Sequence, residues 1–140
     1  MINFIVINNK IILKKLLIKD INQNYLNWFK DESVKKNIVN NSFITVRQLK
    51  KYFKKIKRKK KLIFFGIFYK NYHIGNLKFE NIYDYSSEAS FDILIGNKKF
   101  RGKKIGFKVL SKSIDYIINK FRIKKFTITS NHKNDNAISL

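Results

Sequence analysis

Apolar residues recur along this chain in short runs that favour β-strands, separated by polar pairs that favour tight turns. Two β-branched runs near the start, NFIVI and KIILKKLLI, are joined at Asn8-Asn9, which predicts a hairpin. Further on, the runs LIFFGIFY and YHIGNLKF are separated only by Lys70-Asn71, and EASFDILIG follows after a polar stretch. This pattern predicts three consecutive antiparallel strands in the middle of the chain.

Three other segments carry apolar residues at the spacing of a helix. The expected N-caps of the first two helices are Asp20 and Thr45. The apolar faces behind these caps are formed by Tyr25, Trp28 and Phe29 in the first helix and by Val46, Leu49, Phe53 and Ile56 in the second. A third, longer helix begins near Lys103, with apolar positions at Ile105, Val109, Ile114, Ile117, Ile118 and Phe121.

The order of these elements sets the expected fold class. KKFTITS, after the long helix, is typical of a further strand, and NDNAISL is typical of the start of another helix. A strand, a crossover helix and a second strand imply a parallel pair. We therefore expect a single α+β domain over residues 1–140, with a mixed, mostly antiparallel sheet flanked by helices.

The composition agrees with one folded domain and excludes several kinds of site. With 140 residues, 44% of them hydrophobic, the chain has enough material for one core. It contains no cysteine, which excludes a disulfide framework, a thiolate zinc site and a cysteine nucleophile. His73 and His132 are far apart, so we expect no metal. No apolar run is long enough to span a bilayer, and we interpret the apolar opening as a strand and not as a signal peptide.

The formal net charge of +22 would attract any polyanion. Nine of the twelve residues from 50 to 61 are Lys or Arg, and we interpret this stretch as the solvated face of a helix, with a phosphate-steering or RNA-contacting patch as the alternative. Lysine supplies almost all of the charge, as in a coding sequence biased towards A and T. Because specific base recognition depends on arginine, we expect nucleic acid to bind only through non-specific electrostatics.

The stretch NKKFRGKKIGFKVL, residues 97–110, carries the most informative local chemistry. It places a basic, glycine-containing loop between an alternating strand and the start of a long helix. Backbone N–H groups converge at such a position, next to the positive end of the helix dipole, and suit a phosphate group. The glycine intervals fit neither a nucleoside triphosphate loop nor a dinucleotide-binding turn.

The same loop resembles the acetyl-CoA loop of the GCN5-related N-acetyltransferase (GNAT) superfamily, whose pattern is [Q/R]-x-x-G-x-[G/A]. Arg101 takes the first position, Gly106 closes the pattern, and Lys104 replaces the central glycine. The expected order of strands and helices also resembles this superfamily, from near residue 10 to the end of the chain. The resemblance implies an acetyl-CoA-dependent transferase.

The resemblance implies roles for two further stretches of chain. Main-chain amides of the loop would bind the pyrophosphate of CoA, here from Arg101, Gly102, Lys103, Lys104, Ile105 and Gly106. The preceding strand would pair with the pantetheine arm near Ile93, Leu94 and Ile95, and Asn134 in NDNAI would help to hold that arm. At Lys104 a left-handed backbone would cost about 1 to 2 kcal/mol, whereas a right-handed one would cost nothing.

The implied reaction is direct transfer, in which an amine attacks the thioester carbonyl after losing a proton. The base would be a carboxylate or an ordered water, and the candidate carboxylates are Asp92 and Glu88, which share one face of a strand. A backbone N–H near Leu94 would stabilise the oxyanion. The family's catalytic tyrosine and last two strands would follow Leu140. From this we expect a truncated domain, with a CoA-binding domain that does not turn over as the alternative.

The acceptor is suggested only by a second resemblance. DINQNYLNWFKDESVKKNI resembles a subgroup that includes ribosomal-protein alanine acetyltransferases and enzymes that acetylate nucleotide-linked amino sugars for bacterial surface glycans. The stretch ILIGNKK, at the end of the predicted strand EASFDILIG, favours the sugar branch. We therefore expect a cytoplasmic, bacterial enzyme with an amine or amino-sugar acceptor, and keep a basic RNA-binding module as the remaining alternative.

Overall fold

A computed structural model describes residues 3–35, 45–82 and 88–128. Six strands form one sheet in the order β1 to β6, and every neighbouring pair is antiparallel except β5 and β6. The strands are β1 (Phe4–Val6), β2 (Ile11–Lys15), β3 (Leu62–Tyr69), β4 (Tyr72–Glu80), β5 (Glu88–Ile95) and β6 (Lys125–Ile128). The helices are α1 (Gln23–Trp28), α2 (Glu32–Lys35), α3 (Val46–Lys57) and α4 (Ile105–Phe121).

The predicted hairpins are confirmed, and their turns follow from the residues present. Lys70 and Asn71 both have positive φ, 46° and 70°, which is the backbone of the two-residue turn that matches the twist of a hairpin. At the first hairpin the Asn8 side chain accepts hydrogen bonds from the amides of Lys10 and Ile11, both 2.8 Å. The parallel pairing of β5 with β6 across α4 is also as predicted.

One predicted cap is wrong. Asp20 does not cap α1; its carboxylate accepts instead from the Leu17 amide, 2.8 Å away, and closes a short 3₁₀ turn over Ile18–Asp20. Asn22 caps α1 by accepting from the Tyr25 amide. Both residue types satisfy free helix amides, so position alone decided between them. Thr45 does cap α3, in a reciprocal pair with Gln48.

The helices cover the two faces of the sheet. One cluster of buried side chains joins the sheet to α4, and a second joins α1, α2 and α3 to the other face. Leu49, Phe53 and Ile56 are buried as expected on α3, and Trp28 lies in the core. On α4 the prediction for Ile118 is wrong: it is 37% exposed, while Leu110 and Ser113 are buried, because the buried face follows 105, 109, 113 and 117.

The sheet opens next to α4, between β5 and β6. The register of β6 runs along Glu88 to Phe91 only, whereas β4 pairs with β5 as far as Ile95. Within residues 3–35, 45–82 and 88–128, no strand pairs with Asp92–Ile95 on the β6 side. Asn134 and the predicted helix at NDNAISL lie outside the described residues. No helix in the described ranges is long and apolar enough to cross a membrane.

Candidate active site

The connection from β5 to α4, residues 96–104, together with Ile105 and Gly106 at the start of α4, is here called the cofactor loop. Asn97 caps a 3₁₀ turn at Lys98–Phe100, and Gly102 then takes a positive φ of 73° with nothing within 4 Å of the place a Cβ would occupy. The Lys108 amide donates to the Lys104 carbonyl at 3.1 Å, within the first turn of the 17-residue helix α4. The amides just before Lys108 have no hydrogen-bond partner within the helix. An exposed glycine beside these amides leaves room for an anion to approach the backbone.

The backbone of Lys104 adopts the left-handed one of the two conformations considered in the sequence analysis. It has φ 61° and ψ 18°, the left-handed conformation, directly before α4. A non-glycine residue there carries a steric cost of about 1 to 2 kcal/mol. Its side chain is exposed, and the residue directly precedes the first turn of the helix, whose amides have no partner within it.

The surface around the loop is strongly positive. Between Asp92 and Asp115 the chain has seven Lys or Arg residues and no acidic one. Lys98, Lys99, Lys103, Lys104 and Lys108 are all exposed. Lysine is a point charge that suits phosphate without demanding a particular geometry. Helix dipole and side chains therefore favour the same kind of ligand, a phosphate.

Arg101 points into the protein and not towards solvent. Its Nε donates to the Ile95 carbonyl at 2.7 Å and its Nη2 to the Gly96 carbonyl at 3.1 Å. Its Nη1 donates to Asp31 at 2.9 Å and to Ser33 at 3.0 Å. The Arg101 amide also bonds to the Lys98 carbonyl. Gly102 is therefore the first residue of the loop whose amide could bind a ligand, and the guanidinium group holds the loop in place.

Asp31, between α1 and α2, was not singled out from the sequence. Its side chain is only 12% exposed and accepts from Arg101 and from both the amide and the hydroxyl of Ser33. Burial alone would raise the pKa of Asp31, but these hydrogen bonds outweigh it and hold the pKa below its ordinary value. No local pattern identifies this pair, because its members lie 70 residues apart.

The open edge of β5 presents alternate main-chain groups. The Leu94 carbonyl faces β4, since a Cβ added at Gly75 on that strand would overlap its oxygen. In an extended strand the amide of a residue points the same way as its carbonyl, so the Leu94 N–H also faces β4. The groups on the open side therefore belong to Ile93 and Ile95. Because the Ile95 carbonyl accepts from Arg101, an extended ligand arm could pair with the main-chain groups of Ile93 and with the Ile95 amide.

The two candidate bases share a face, as predicted, but have different surroundings. Asp92 is half-buried at the first position beyond the β6 pairing, directly opposite Lys78. Burial raises the pKa of Asp92, and although Lys78 opposes this effect, Glu80 adds to it. Glu88 is exposed about 13 Å away along the strand and lies 3.9 Å from the Lys125 ammonium group. Asp92 is thus the carboxylate at the opening.

A buried polar cluster lies under α1. The Nε2 of His73 lies 2.7 Å from the Asn76 amide oxygen, and the Asn76 amide donates to the Tyr25 hydroxyl at 2.7 Å. Burial lowers the pKa of His73, which keeps the ring neutral. The ring also stacks on Phe68. His73 is therefore a core residue, and the described ranges contain no group of three potential metal ligands.

Comparison with known proteins decides the family. The family model for the acetyltransferase (GNAT) domain matches residues 10–140. The chain belongs to the GNAT acetyltransferase family. This assignment confirms the resemblance seen in the loop and makes the chain an N-acetyltransferase domain. No curated protein sequence matches it at a significant level.

Solved GNAT structures share the fold at low sequence identity. The microcin C7 self-immunity acetyltransferase MccE, in complex with acetyl-CoA and AMP, is 21% identical, with a TM-score of 0.77 over 95% of this chain and 76% of its own. The ribosomal L7/L12 acetyltransferase RimL, in complex with CoA, is 14% identical, with a TM-score of 0.83 over 97% and 79%. The spermidine N-acetyltransferase of Vibrio cholerae, with CoA and spermine, is 16% identical, with a TM-score of 0.76 over 94% and 78%.

Proposed function

We propose that this GNAT domain transfers an acetyl group from acetyl-CoA to a primary amine, with the cofactor held between the open edge of β5 and the cofactor loop. The observation that carries the proposal is the loss of β6 pairing at Asp92, directly ahead of a positive, glycine-containing loop and the start of α4. The solved GNAT structures in complex with acetyl-CoA or CoA support the same cofactor. A cytoplasmic location, where acetyl-CoA is available, fits this proposal.

Different residues of the chain would bind different parts of acetyl-CoA. Amides from Gly102 to Gly106 would hold the pyrophosphate, supported by the ammonium groups of Lys103 and Lys104. The main-chain groups of Ile93 and the amide of Ile95 would pair with the pantetheine arm, as a further strand would. When bound, acetyl-CoA supplies the activated acetyl group. Asn134, which the family resemblance also places near the arm, remains a prediction.

Asp92 is the proposed base. It stands where the open edge begins, and its raised pKa makes it a better proton acceptor than an ordinary aspartate. It would take the proton of the acceptor amine, and an amide on the open edge near Leu94 would stabilise the charge that develops on the carbonyl oxygen. Glu88, exposed and next to Lys125, is the second candidate.

For the acceptor, we propose a nucleotide-linked amino sugar. Residues 20–38 resemble a subgroup that includes both ribosomal-protein alanine acetyltransferases and amino-sugar enzymes, and two observations support the sugar branch: the stretch ILIGNKK, residues 93–99, and the presence of AMP in the MccE structure. Spermidine and protein N-termini, the acceptors named for two other solved structures, are the competing amines. A sugar nucleotide also brings a second pyrophosphate, which the positive surface of the chain would attract.

Calorimetric titration with acetyl-CoA at raised salt tests the cofactor, with ATP and a short RNA as polyanion controls. We expect acetyl-CoA to bind more tightly than ATP and its affinity to survive the salt. Equal, salt-sensitive binding of all three ligands would contradict a specific cofactor site.

Thiol release with a panel of amines then tests the acceptor. The panel contains a nucleotide-linked amino sugar, the free amino sugar, spermidine and a peptide with a free N-terminus. We expect the nucleotide-linked sugar to react fastest and the free sugar to lose most of kcat/KM. A faster reaction with spermidine or the peptide would replace the acceptor, and binding without any turnover would leave a CoA-binding domain only.

A further inference from the structure

The turn that follows α1 packs against the cofactor loop through two separate contacts. The Trp28 ring lies so close to the backbone of Gly96 that a Cβ added there would overlap it. Three residues later, the Asp31 carboxylate accepts the hydrogen bond from Arg101. One short stretch of chain thus fixes both ends of the segment from Gly96 to Arg101.

The Arg101 side chain carries this link to the end of β5. A guanidinium group has five donors in one rigid plane, and four hydrogen bonds to Ile95, Gly96, Asp31 and Ser33 fix its orientation. Two of these acceptors are main-chain carbonyls of the strand end and two belong to the segment after α1. Without Asp31 the guanidinium group would be held mainly by main-chain carbonyls at the end of β5, and the loop would lose its ion pair with the segment after α1.

Asp31 is itself held firmly enough to act as an anchor. Its Oδ1 accepts from the Ser33 amide at 3.1 Å and from the Ser33 hydroxyl at 2.9 Å, while its own amide donates to the Trp28 carbonyl at 3.2 Å. Oδ2 remains for Arg101. Oδ1 also lies 3.9 Å from the Lys98 ammonium group, so the carboxylate connects the segment after α1 with the cofactor loop at both Arg101 and Lys98.

We propose that Asp31 is a positioning residue for cofactor binding, which sets the conformation of the cofactor loop through Arg101 and ties it to α1 and α2. The inference rests on the proposed function, because it takes the loop to bind the pyrophosphate of CoA. It makes the segment between α1 and α2 part of the cofactor site without requiring that Asp31 touch the cofactor.

Because Asp31 is negatively charged, the direction in which its removal changes the affinity for acetyl-CoA tests the proposal. A carboxylate near an anion-binding loop repels phosphate, so on electrostatic grounds alone its removal should strengthen acetyl-CoA binding. A positioning role predicts the opposite, because Arg101 loses its anchor and the amides after it lose their fixed arrangement. The two effects cannot be confused, since they move the affinity in opposite directions.

The experiment is calorimetric titration of acetyl-CoA at raised salt with the wild-type chain, Asp31→Ala, Asp31→Asn and Arg101→Lys. We expect Asp31→Ala to weaken binding about tenfold, the loss of a hydrogen bond between charged groups, and to raise KM for acetyl-CoA with little change in kcat. Asp31→Asn keeps one oxygen acceptor and should lose less. Arg101→Lys keeps the charge but not the fork, and should behave like Asp31→Ala.

Asp115→Asn is the matched control, because it removes the same charge from an exposed position on α4 outside the loop. Its affinity should equal that of the wild-type chain. Hydrogen exchange of the unliganded chains gives a second readout, in which amides of the cofactor loop should exchange faster in Asp31→Ala than in the control. Circular dichroism shows which variants are folded. If Asp31→Ala fails to fold, weaker acetyl-CoA binding is still expected, and can be measured, for Asp31→Asn and Arg101→Lys.

Unchanged or tighter acetyl-CoA binding by the folded Asp31 and Arg101 variants would overturn the positioning role and leave the proposed function intact. A wild-type chain that does not bind acetyl-CoA would overturn the proposed function itself.

Discussion

Asp92 differs from an ordinary surface aspartate in that burial at the edge of the split sheet opposes its ionisation. A raised pKa matters for a base, which must be deprotonated to act. The rate should therefore fall as the pH is lowered through this raised pKa, at a higher pH than for an ordinary aspartate. The acid limb of the pH profile is thus a signature of Asp92 itself.

Replacing Asp92 by Asn should lower kcat/KM about a hundredfold and remove the acid limb, measured by thiol release over a range of pH. At neutral pH the variant should be at least as stable as the wild type, because a half-buried carboxylate is harder to ionise when folded. Glu88→Gln tests the second candidate base with the same charge change on the same face of β5, and it should lose much less activity. An equal loss in both variants, or an acid limb that survives in Asp92→Asn, would exclude Asp92 as the base.

Lys104 holds a conformation that glycine adopts without cost. Replacing it by Gly should stabilise the chain by about 0.5 to 1 kcal/mol, since relief of the left-handed strain exceeds the added entropy of the unfolded state. Lys103, next to it, does not have positive φ, so Lys103→Gly should destabilise. Urea unfolding compares the two variants, and a destabilised Lys104→Gly would show that the ammonium group, and not the backbone, decides the residue at this position.

At the scale of elements, local patterns predicted what local physics decides. The turn at Lys70-Asn71 and the face of α3 follow from neighbouring residues, and both are confirmed. The Arg101–Asp31 pair could not be predicted in this way, since the strand end and the turn after α1 meet only when the sheet and the helices pack together. The cap at Asn22 was missed because Asp20 and Asn22 are both suitable cap residues and lie only two positions apart. Ile118 was placed with the apolar face because of its residue type, although the buried face follows 105, 109, 113 and 117.

The contact between α1 and the cofactor loop is tight enough to test by double substitution. Gly96→Ala should destabilise the chain by about 1 to 3 kcal/mol, because the added Cβ overlaps the Trp28 ring. Trp28→Phe removes part of the overlapping ring. In a double-mutant cycle by thermal or urea unfolding, Gly96→Ala should therefore cost less in the Trp28→Phe background. Strictly additive effects would show that the loop and α1 do not press on each other.

At the scale of the whole molecule, charge is distributed unevenly. Residues 47–61 contain ten Lys or Arg, all exposed, and the chain has no acidic residue between Glu32 and Glu80. On α4 the lysines are sparser and Asp115 is among them. A bias in codon usage raises lysine on both helices, so the difference between them makes α3 the surface where a polyanion meets the strongest field.

Because of this distribution of charge, substitutions on α3 can distinguish the binding of RNA from the binding of acetyl-CoA. Charge reversal of Lys54, Lys57 and Lys61 to Glu should lower the dependence of RNA binding on salt, with the slope of log K against log salt reduced by about 2. Reversal of Lys10, Lys70 and Lys120, which are exposed and lie outside α3, changes the net charge equally and should weaken RNA binding less. Acetyl-CoA affinity at raised salt should stay the same in both triple variants, because short-range contacts in the loop survive screening that removes long-range attraction. Equal loss of RNA binding in the two variants would mean that net charge alone attracts RNA, and loss of acetyl-CoA binding with α3 would mean that the cofactor depends on the same field.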